Sequence, residues 1–129
     1  MIEDASYDLA GTVIGIAMTV HRELGHGFQE SVYQNALALE FAERGLAFEQ
    51  YIKLSVFYKG RLVGDFEADM AFGKELIIEL KAVSTILPVH EVQLVNYLKA
   101  TGINEGLLLN FGTESLQFKK KYLQPKKLK

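Results

Sequence analysis

Asp69, Glu79 and Lys81 are the residues of this chain whose types and spacing suggest chemistry. Glu79 and Lys81 lie in the run Leu76-Ile77-Ile78-Glu79-Leu80-Lys81-Ala82-Val83. A run this apolar belongs to a central strand with both faces covered. A charged pair inside such a strand is costly unless it is paired or bound to a metal. Residues two apart in a strand point the same way, about 6–7 Å from each other. Alone, Glu-x-Lys usually marks an edge-strand ion pair facing water. With Asp69 alongside, two hard carboxylate oxygens and an ammonium could hold Mg2+ and place a charge next to a bound water.

Other polar residues are candidates to complete such a site. His90, Gln93 and Tyr97 recur at three and four, so they share one face of a helix, while Leu94, Val95 and Leu98 form a more apolar face. The plain reading of Gln93 and Tyr97 is the polar boundary of an amphipathic helix. Glu30 in a first helical turn suits the helix dipole without any function, and Tyr33 suits a core with its hydroxyl at the surface. His21, at the end of a helix, is more often a dipole partner than a ligand. His26 reads as an ordinary loop residue.

The elements that must position these residues can be read from periodicity. A first helix is expected from about Ser6 to Leu24, broken by Gly25-His26-Gly27. A second runs from about Gln29 to Arg44, and Gly45 ends it. The period then changes to two over Tyr51–Tyr58, with a turn at Lys59-Gly60 and strands at Leu62–Phe72 and Glu75–Val83. Pro88 suits the first position of a third helix, closed by Gly102. Gly106–Phe111 and Leu116–Tyr122 read as a last pair of strands. The order is α-α-β-β-β-α-β-β. The helix between the third and fourth strands could join them as parallel neighbours by a right-handed crossover.

The central hairpin allows a sharper deduction. Phe66, Ala68 and Met70 are apolar at even positions, and so are Leu76, Ile78, Leu80 and Ala82. Asp65, Glu67, Asp69, Glu75, Glu79 and Lys81 are odd. A two-residue turn at Gly73-Lys74 would send the two apolar sets to opposite faces, which a buried face forbids. A three-residue loop, Phe72-Gly73-Lys74, or a bulge is therefore predicted, with Asp69, Glu79 and Lys81 on one face.

Composition narrows the class. The chain has 129 residues, 49% of them hydrophobic, which is the length of one domain with a single core. It has no Cys, which excludes disulfides, Cys-ligated zinc and a thiol nucleophile, and it suits a reducing, cytoplasmic setting. Glu3 and Asp4 stand where a secretory leader would be basic, and no apolar run has the length of a membrane span. The net charge of −2 hides an asymmetry. Residues 1–118 carry all 16 acids and eight bases, whereas residues 119–129 carry six lysines and no acid. Such a tail either attracts a polyanion or keeps a frayed terminus solvated.

Taken in order, the residues resemble the GxxExxY proteins, small bacterial and archaeal members of the PD-(D/E)xK nuclease superfamily. The resemblance spans nearly the whole chain. It rests on Val20-His21-Arg22-Glu23-Leu24-Gly25, Gly27-x-x-Glu30-x-x-Tyr33, Arg44-Gly45-Leu46 and Tyr58-Lys59-Gly60. It continues through Asp69, Glu79-Leu80-Lys81-Ala82, Gln93-Leu94-Val95-Asn96-Tyr97-Leu98 and Gly106-Leu107-Leu108-Leu109-Asn110-Phe111-Gly112. It implies an α/β fold of restriction-endonuclease type, a mixed central sheet flanked by helices. On that template Asp69 and Glu79 match the metal-binding acids and Lys81 the lysine near the attacking water. Glu30 matches the helix-borne acid that completes the metal site. Gln93 and Tyr97 match the Gln-x-x-x-Tyr element of RecB-like and Cas4-like nucleases, and His21 occupies a place similar to a histidine metal ligand of some of them. Ala68 stands where the superfamily's proline often stands, Asp65 and Glu67 add charge, and there is no cysteine for the iron–sulfur cluster of Cas4-like nucleases.

The resemblance implies a nuclease domain, expected over 1–122, with a basic tail over 123–129. Mg2+ or Mn2+ would be the cofactor and nucleic acid, DNA rather than RNA, the partner. The alternative is a catalytically inactive nuclease-fold module that binds nucleic acid or protein. A third reading is an interaction protein in which buried Glu79 and Lys81 merely neutralise each other. By analogy with small junction resolvases of similar architecture, a homodimer is expected.

Overall fold

The computed structural model describes residues 8–124. The basic terminus over 125–129 and the first turn expected at Ser6 and Tyr7 lie outside the described residues. Helix α1 (Leu9–Leu24) starts at Asp8, whose carboxylate accepts the Gly11 N–H at 3.0 Å, one of the donors a helix start leaves without a partner. Helix α2 (Glu30–Glu43) ends at Gly45 (φ +72). The Gly45 N–H reaches the Ala42 carbonyl and the Leu46 N–H the Phe41 carbonyl, a paired closure that uses up two carbonyls at the helix end.

Strands β1 (Glu49–Tyr58), β2 (Arg61–Phe72), β3 (Leu76–Lys81), β4 (Glu105–Asn110) and β5 (Gln117–Tyr122) form one sheet in sequence order. Helix α3 (Pro88–Thr101) joins β3 to β4, which run parallel, and the other neighbours are antiparallel. Lys59 and Gly60 both have positive φ, as a two-residue hairpin turn requires. Strand β3 is the middle strand and is buried from Leu76 to Leu80. On one face, α1 and α2 cover Met70, Phe72, Ile78, Leu80, Leu107 and Leu109. On the other, Leu94, Tyr97 and Leu98 of α3 cover Leu54, Ile77 and Leu108. The result is a mixed sheet between helical layers, each face closed by an apolar stripe.

The β2–β3 hairpin corrects one expectation in its position. Phe72 pairs with Leu76, so the three-residue loop is Gly73-Lys74-Glu75, one residue later than predicted. The loop length, and hence the match of even with even residues, is as expected: Met70 pairs with Ile78. Gly73 takes φ +52, and the Glu75 N–H closes the turn on the Phe72 carbonyl.

A second correction concerns β2 itself. Its alternation predicts even residues on one face throughout, but Ala68 packs with the α3 layer while Met70 packs with α1 and α2. The partner strand switches at the same level. Gln50 bonds to Gln34 of α2, whereas Ile52 packs with the α3 layer. Between them Tyr51 has φ +56, a backbone conformation unusual for a bulky residue. The kink lets Asp69 share a layer with Glu79 while exposed Asp65 and Glu67 do not follow it there.

Candidate active site

Asp69 sits at the kink with its whole backbone held by side chains. Its N–H donates to Glu79 Oε2 at 3.1 Å, and its carbonyl accepts from Gln34 Nε2 at 3.1 Å. In return, the Leu80 N–H donates to Asp69 Oδ2 at 2.8 Å. The β2–β3 ladder ends at Met70 and Ile78. Beyond that pair the two carboxylates take over the role of the backbone, each capping an N–H of the opposite strand.

This geometry places two acids in a poorly solvated spot. Glu79 is 6% exposed. Burial first, and then the charge of Asp69, push the Glu79 carboxyl up to about 9, against the Asp69 N–H and Lys81 that lower it. Burial also raises Asp69, opposed by the Leu80 N–H, by a hydrogen bond with the Glu79 side chain and by Lys81. Both shifts favour keeping a proton on the pair, and Glu79, the more deeply buried, is the group that favours it most. Lys81 acts on both acids through its charge, yet among the described residues it makes no ion pair within 4.0 Å.

Helix α3 supplies the cover. Tyr97 is buried, and its hydroxyl is pushed up by burial and then by the charges of Glu79 and Asp69. Gln93 Nε2 donates to that hydroxyl at 3.1 Å. His90, which shares their face in sequence, is engaged elsewhere. Its Nδ1 accepts the Leu87 N–H at 3.0 Å and caps the helix start. The structure thus gathers Asp69, Glu79, Lys81, Gln93 and Tyr97.

It does not bring His21 or Glu30 into that group. The His21 ring nitrogen Nε2 is 2.8 Å from the Thr113 carbonyl, the ring packs on Phe111, and the residue lines a separate cleft with Met18, Arg22 and Glu114. Phe111 is the common support, because the Tyr33 ring stacks on it at 4.6 Å. Glu30 lies exposed in an open cleft of about 620 Å³ that Gln34, Tyr51 and Ala82 also line. Among the described residues, no three His, Asp or Glu side chains form a metal-holding group.

Sequence reasoning misses Gln34 and Asn110. Gln34 is 5% exposed, one helical turn after Glu30 and on the buried side of α2, so a polar break in an apolar stripe was its signal. Asn110 follows three leucines in β4 and is fully buried. Its side chain accepts the Val83 N–H and donates to the Val83 carbonyl, both at 2.9 Å. It therefore extends the sheet past the end of β3, next to Lys81, much as another backbone would. Its amide also donates to the Gln117 side chain at 3.1 Å, and its Oδ1 accepts the Gly112 N–H at 3.0 Å.

A five-stranded mixed sheet between helical layers, with paired acids at the break between two central strands, defines a nuclease-like α/β protein. The family model of the PD-(D/E)XK nuclease superfamily matches residues 7–121, and the chain belongs to that superfamily. No curated protein matches it. Among solved structures it is similar to SSO0001, with 16% identity and a TM-score of 0.51, over 95% of this chain and 69% of that one. It is also similar to an alkaline exonuclease from Laribacter hongkongensis, with 13% identity and a TM-score of 0.53, over 95% of this chain and 72% of that one. At such identities the likeness is one of fold.

Proposed function

We propose that the chain is a divalent-metal-dependent nuclease of the GxxExxY group, with Asp69 and Glu79 as metal ligands. The observation that carries this reading is the pair itself: Glu79, 6% exposed, accepts the Asp69 N–H at 3.1 Å, while Asp69 accepts the Leu80 N–H at 2.8 Å, so two carboxylates meet where little water reaches. Hard carboxylate oxygens suit Mg2+ or Mn2+, and a bound dication would offset the burial that raises both carboxyl groups. When bound, such an ion supplies an activated water and polarises the scissile phosphate. The rest falls to the chain. Lys81 orients the water and stabilises charge developing on the phosphate. Tyr97, held by Gln93, presents its hydroxyl to the same space. Glu30 lines the adjoining cleft as a further carboxylate for an incoming ion or water.

On this reading the substrate is nucleic acid, DNA rather than RNA, and the chain is one nuclease-like domain over 1–122. Leu123 and Gln124 are still tied to the domain by Asn104, ahead of the basic end of the tail. The proposal includes a cytoplasmic setting, which a chain without Cys suits, and a homodimer, by analogy with small junction resolvases. The experiment is cleavage of plasmid and single-stranded DNA with Mn2+ by the wild type, Glu79→Ala and Lys81→Ala. Cleavage by the wild type alone is expected, and equal background from all three overturns the proposal.

A second reading, a binding module without catalysis, is favoured by one observation. The lysines of β5 are partly used within the molecule, Lys121 by Glu91 and Lys120 by Asp8 at 3.9 Å, which thins the basic surface a duplex would need. Calorimetric titration with Mn2+ separates the two. Binding that disappears in Asp69→Asn belongs to the nuclease, and no binding in either protein belongs to the module.

A further inference from the structure

The cleft beside the acids has features that the metal site does not use. Its walls include two aromatic rings, Phe28 at 49% exposure and Tyr51 at 52%. The first is built into place. Tyr33 donates its hydroxyl to the Gly25 carbonyl at 2.6 Å and accepts the Phe28 N–H at 3.2 Å. The Phe28 ring stands edge-on to the Tyr33 ring, 6.2 Å away. Gly27 has φ +116, so the loop that carries Phe28 needs a glycine at that point. Tyr51 stands at the kink with φ +56, a strained conformation of the kind that clusters at functional sites.

The cleft, on the α2 side of the sheet, is tied to the paired acids through the backbone. Ala82 in its lining follows Lys81, and Gln34 reaches from its lining to the Asp69 carbonyl. Its charge says what part of a substrate it suits. No Lys or Arg lines it, and Glu30 does, so no cationic side chain in the lining would pair with a phosphate. A neutral base, with a π-face for the rings and polar edges for Gln29, Glu30 and Ser31, needs no such partner.

We propose that this cleft takes an unpaired nucleobase of the substrate strand, stacked against Tyr51 and Phe28, next to the phosphate addressed by Lys81. A base inside a duplex cannot present its face to a side chain, so the inference assigns single-stranded or end-frayed nucleic acid as the substrate class. It rests on the nuclease reading for the direction of the strand, but its test does not need cleavage.

The test is titration of the full chain, in EDTA, with a single-stranded oligonucleotide carrying 2-aminopurine, and with its duplex. Stacking quenches the probe. Quenching by the wild type with the single strand and none with the duplex is expected. Tyr51→Asn removes the ring and keeps a residue that tolerates positive φ. It should bind roughly tenfold more weakly, in line with the loss of one base–aromatic stack. Tyr51→Phe should bind and quench as the wild type does. Phe28→Ala is the independent arm if Tyr51→Asn does not fold. Wild-type affinity and quenching in both Tyr51→Asn and Phe28→Ala, or equal quenching with the duplex, overturns the inference. Cleavage in Mn2+ is scored separately. Activity without stacking sinks this inference alone, and stacking without activity sinks the nuclease reading alone.

Discussion

Asp69 and Glu79 cap each other's strands. The Asp69 N–H donates to the Glu79 carboxylate, and the Leu80 N–H, next to Glu79, donates to the Asp69 carboxylate. The acids are therefore structural before they are chemical. They close the gap where β2 leaves β3, and their burial in that role raises both carboxyl groups. Fold and site are coupled at this point. A change to either acid is felt in stability and in metal binding, with opposite signs for the isosteric amide.

Glu79→Gln should stabilise the metal-free protein at alkaline pH. The folded Glu79 carboxyl is pushed up to about 9, whereas an unfolded glutamate titrates at about 4.3. The folded state binds the extra proton between those values, so the contribution of Glu79 is full below the lower value. It is lost progressively as pH rises through the upper one. Glutamine keeps an acceptor for the Asp69 N–H and never ionises. At pH 8 the variant should gain on the order of 2 kcal/mol, allowing for relaxation of the site. Thermal melts in EDTA from pH 5 to 9 check this: the wild type should lose Tm across the range and the variant much less. A parallel slope in both would show that Glu79 is not held neutral.

Metal binding should carry the reverse pH dependence. A dication needs both acids ionised, so it must expel the proton held on Glu79. Mn2+ affinity of the wild type should rise steadily from pH 6 to 9, with up to about one proton released per ion. Calorimetry in buffers of different ionisation enthalpy counts that proton. Affinity that is flat with pH would contradict a protonated pair.

Lys81→Met should separate chemistry from folding. Lys81 forms no close ion pair among the described residues, and its ammonium only lowers the two acids through space. Its loss should leave stability within about 1 kcal/mol of the wild type. Cleavage should fall by roughly a hundredfold or more, as when one stabilising donor is removed from a charge-developing centre. Mn2+ affinity at neutral pH should not fall, because loss of the ammonium favours a dication more than it favours the single proton the dication displaces.

Much of this arrangement was legible because it follows from period and charge. Strand β3 was readable as central from its unbroken apolar run. The parity of the Phe72–Leu76 turn followed from the demand that buried faces match, although the loop moved by one residue because parity is indifferent to a shift of one turn position. The helices announced their ends at Gly45, Pro88 and Gly102. The kink was not legible. Nothing in an alternating pattern shows that Tyr51 adopts positive φ, or that Ala68 and Met70 pack into different layers. It arises from long-range bonds between Gln34, Asp69 and Glu79, distant in sequence, that draw Asp69 out of the ladder. His21 was a ligand candidate by resemblance alone, its position at a helix end favouring a dipole partner, and in the structure a loop carbonyl from Thr113 meets its ring.

Gln34→Leu should cost more than its size suggests. The amide donates to the Asp69 carbonyl and to Gln50 Oε1 at 3.0 Å. Leucine would fill a similar volume and leave both acceptors short of a donor, at about 1–3 kcal/mol. That is about 3–10 °C in a chain of this size. The kink would relax, so Mn2+ affinity should fall along with stability. Gln34→Glu, which sets an acceptor against both Gln50 Oε1 and the Asp69 carbonyl, should destabilise the kink more than leucine does. Metal affinity unchanged in both would mean that Asp69 is held by Glu79 alone.

Gly112→Ala tests the far support of β3 and has an internal control in Gly106→Ala. A Cβ on Gly112 would run into the backbone of Val83 and Ala82, which cannot rotate away. A Cβ on Gly106 would meet Leu94, at 2.9 Å from Cδ1, and a leucine side chain can change rotamer. The first variant must push apart β3's exit and the turn after β4, where Asn110 Oδ1 accepts the N–H groups of both Val83 and Gly112. It should lose about 3 kcal/mol or more, and the second about 1 kcal/mol. The shift would also move Lys81, one residue before Ala82. Cleavage by Gly112→Ala should therefore fall further than its folded fraction, whereas Gly106→Ala should track its folded fraction. Melting curves and rates measured below both transitions check the pair, and equal losses in the two would mean that backbone contact at Val83 does not constrain the site.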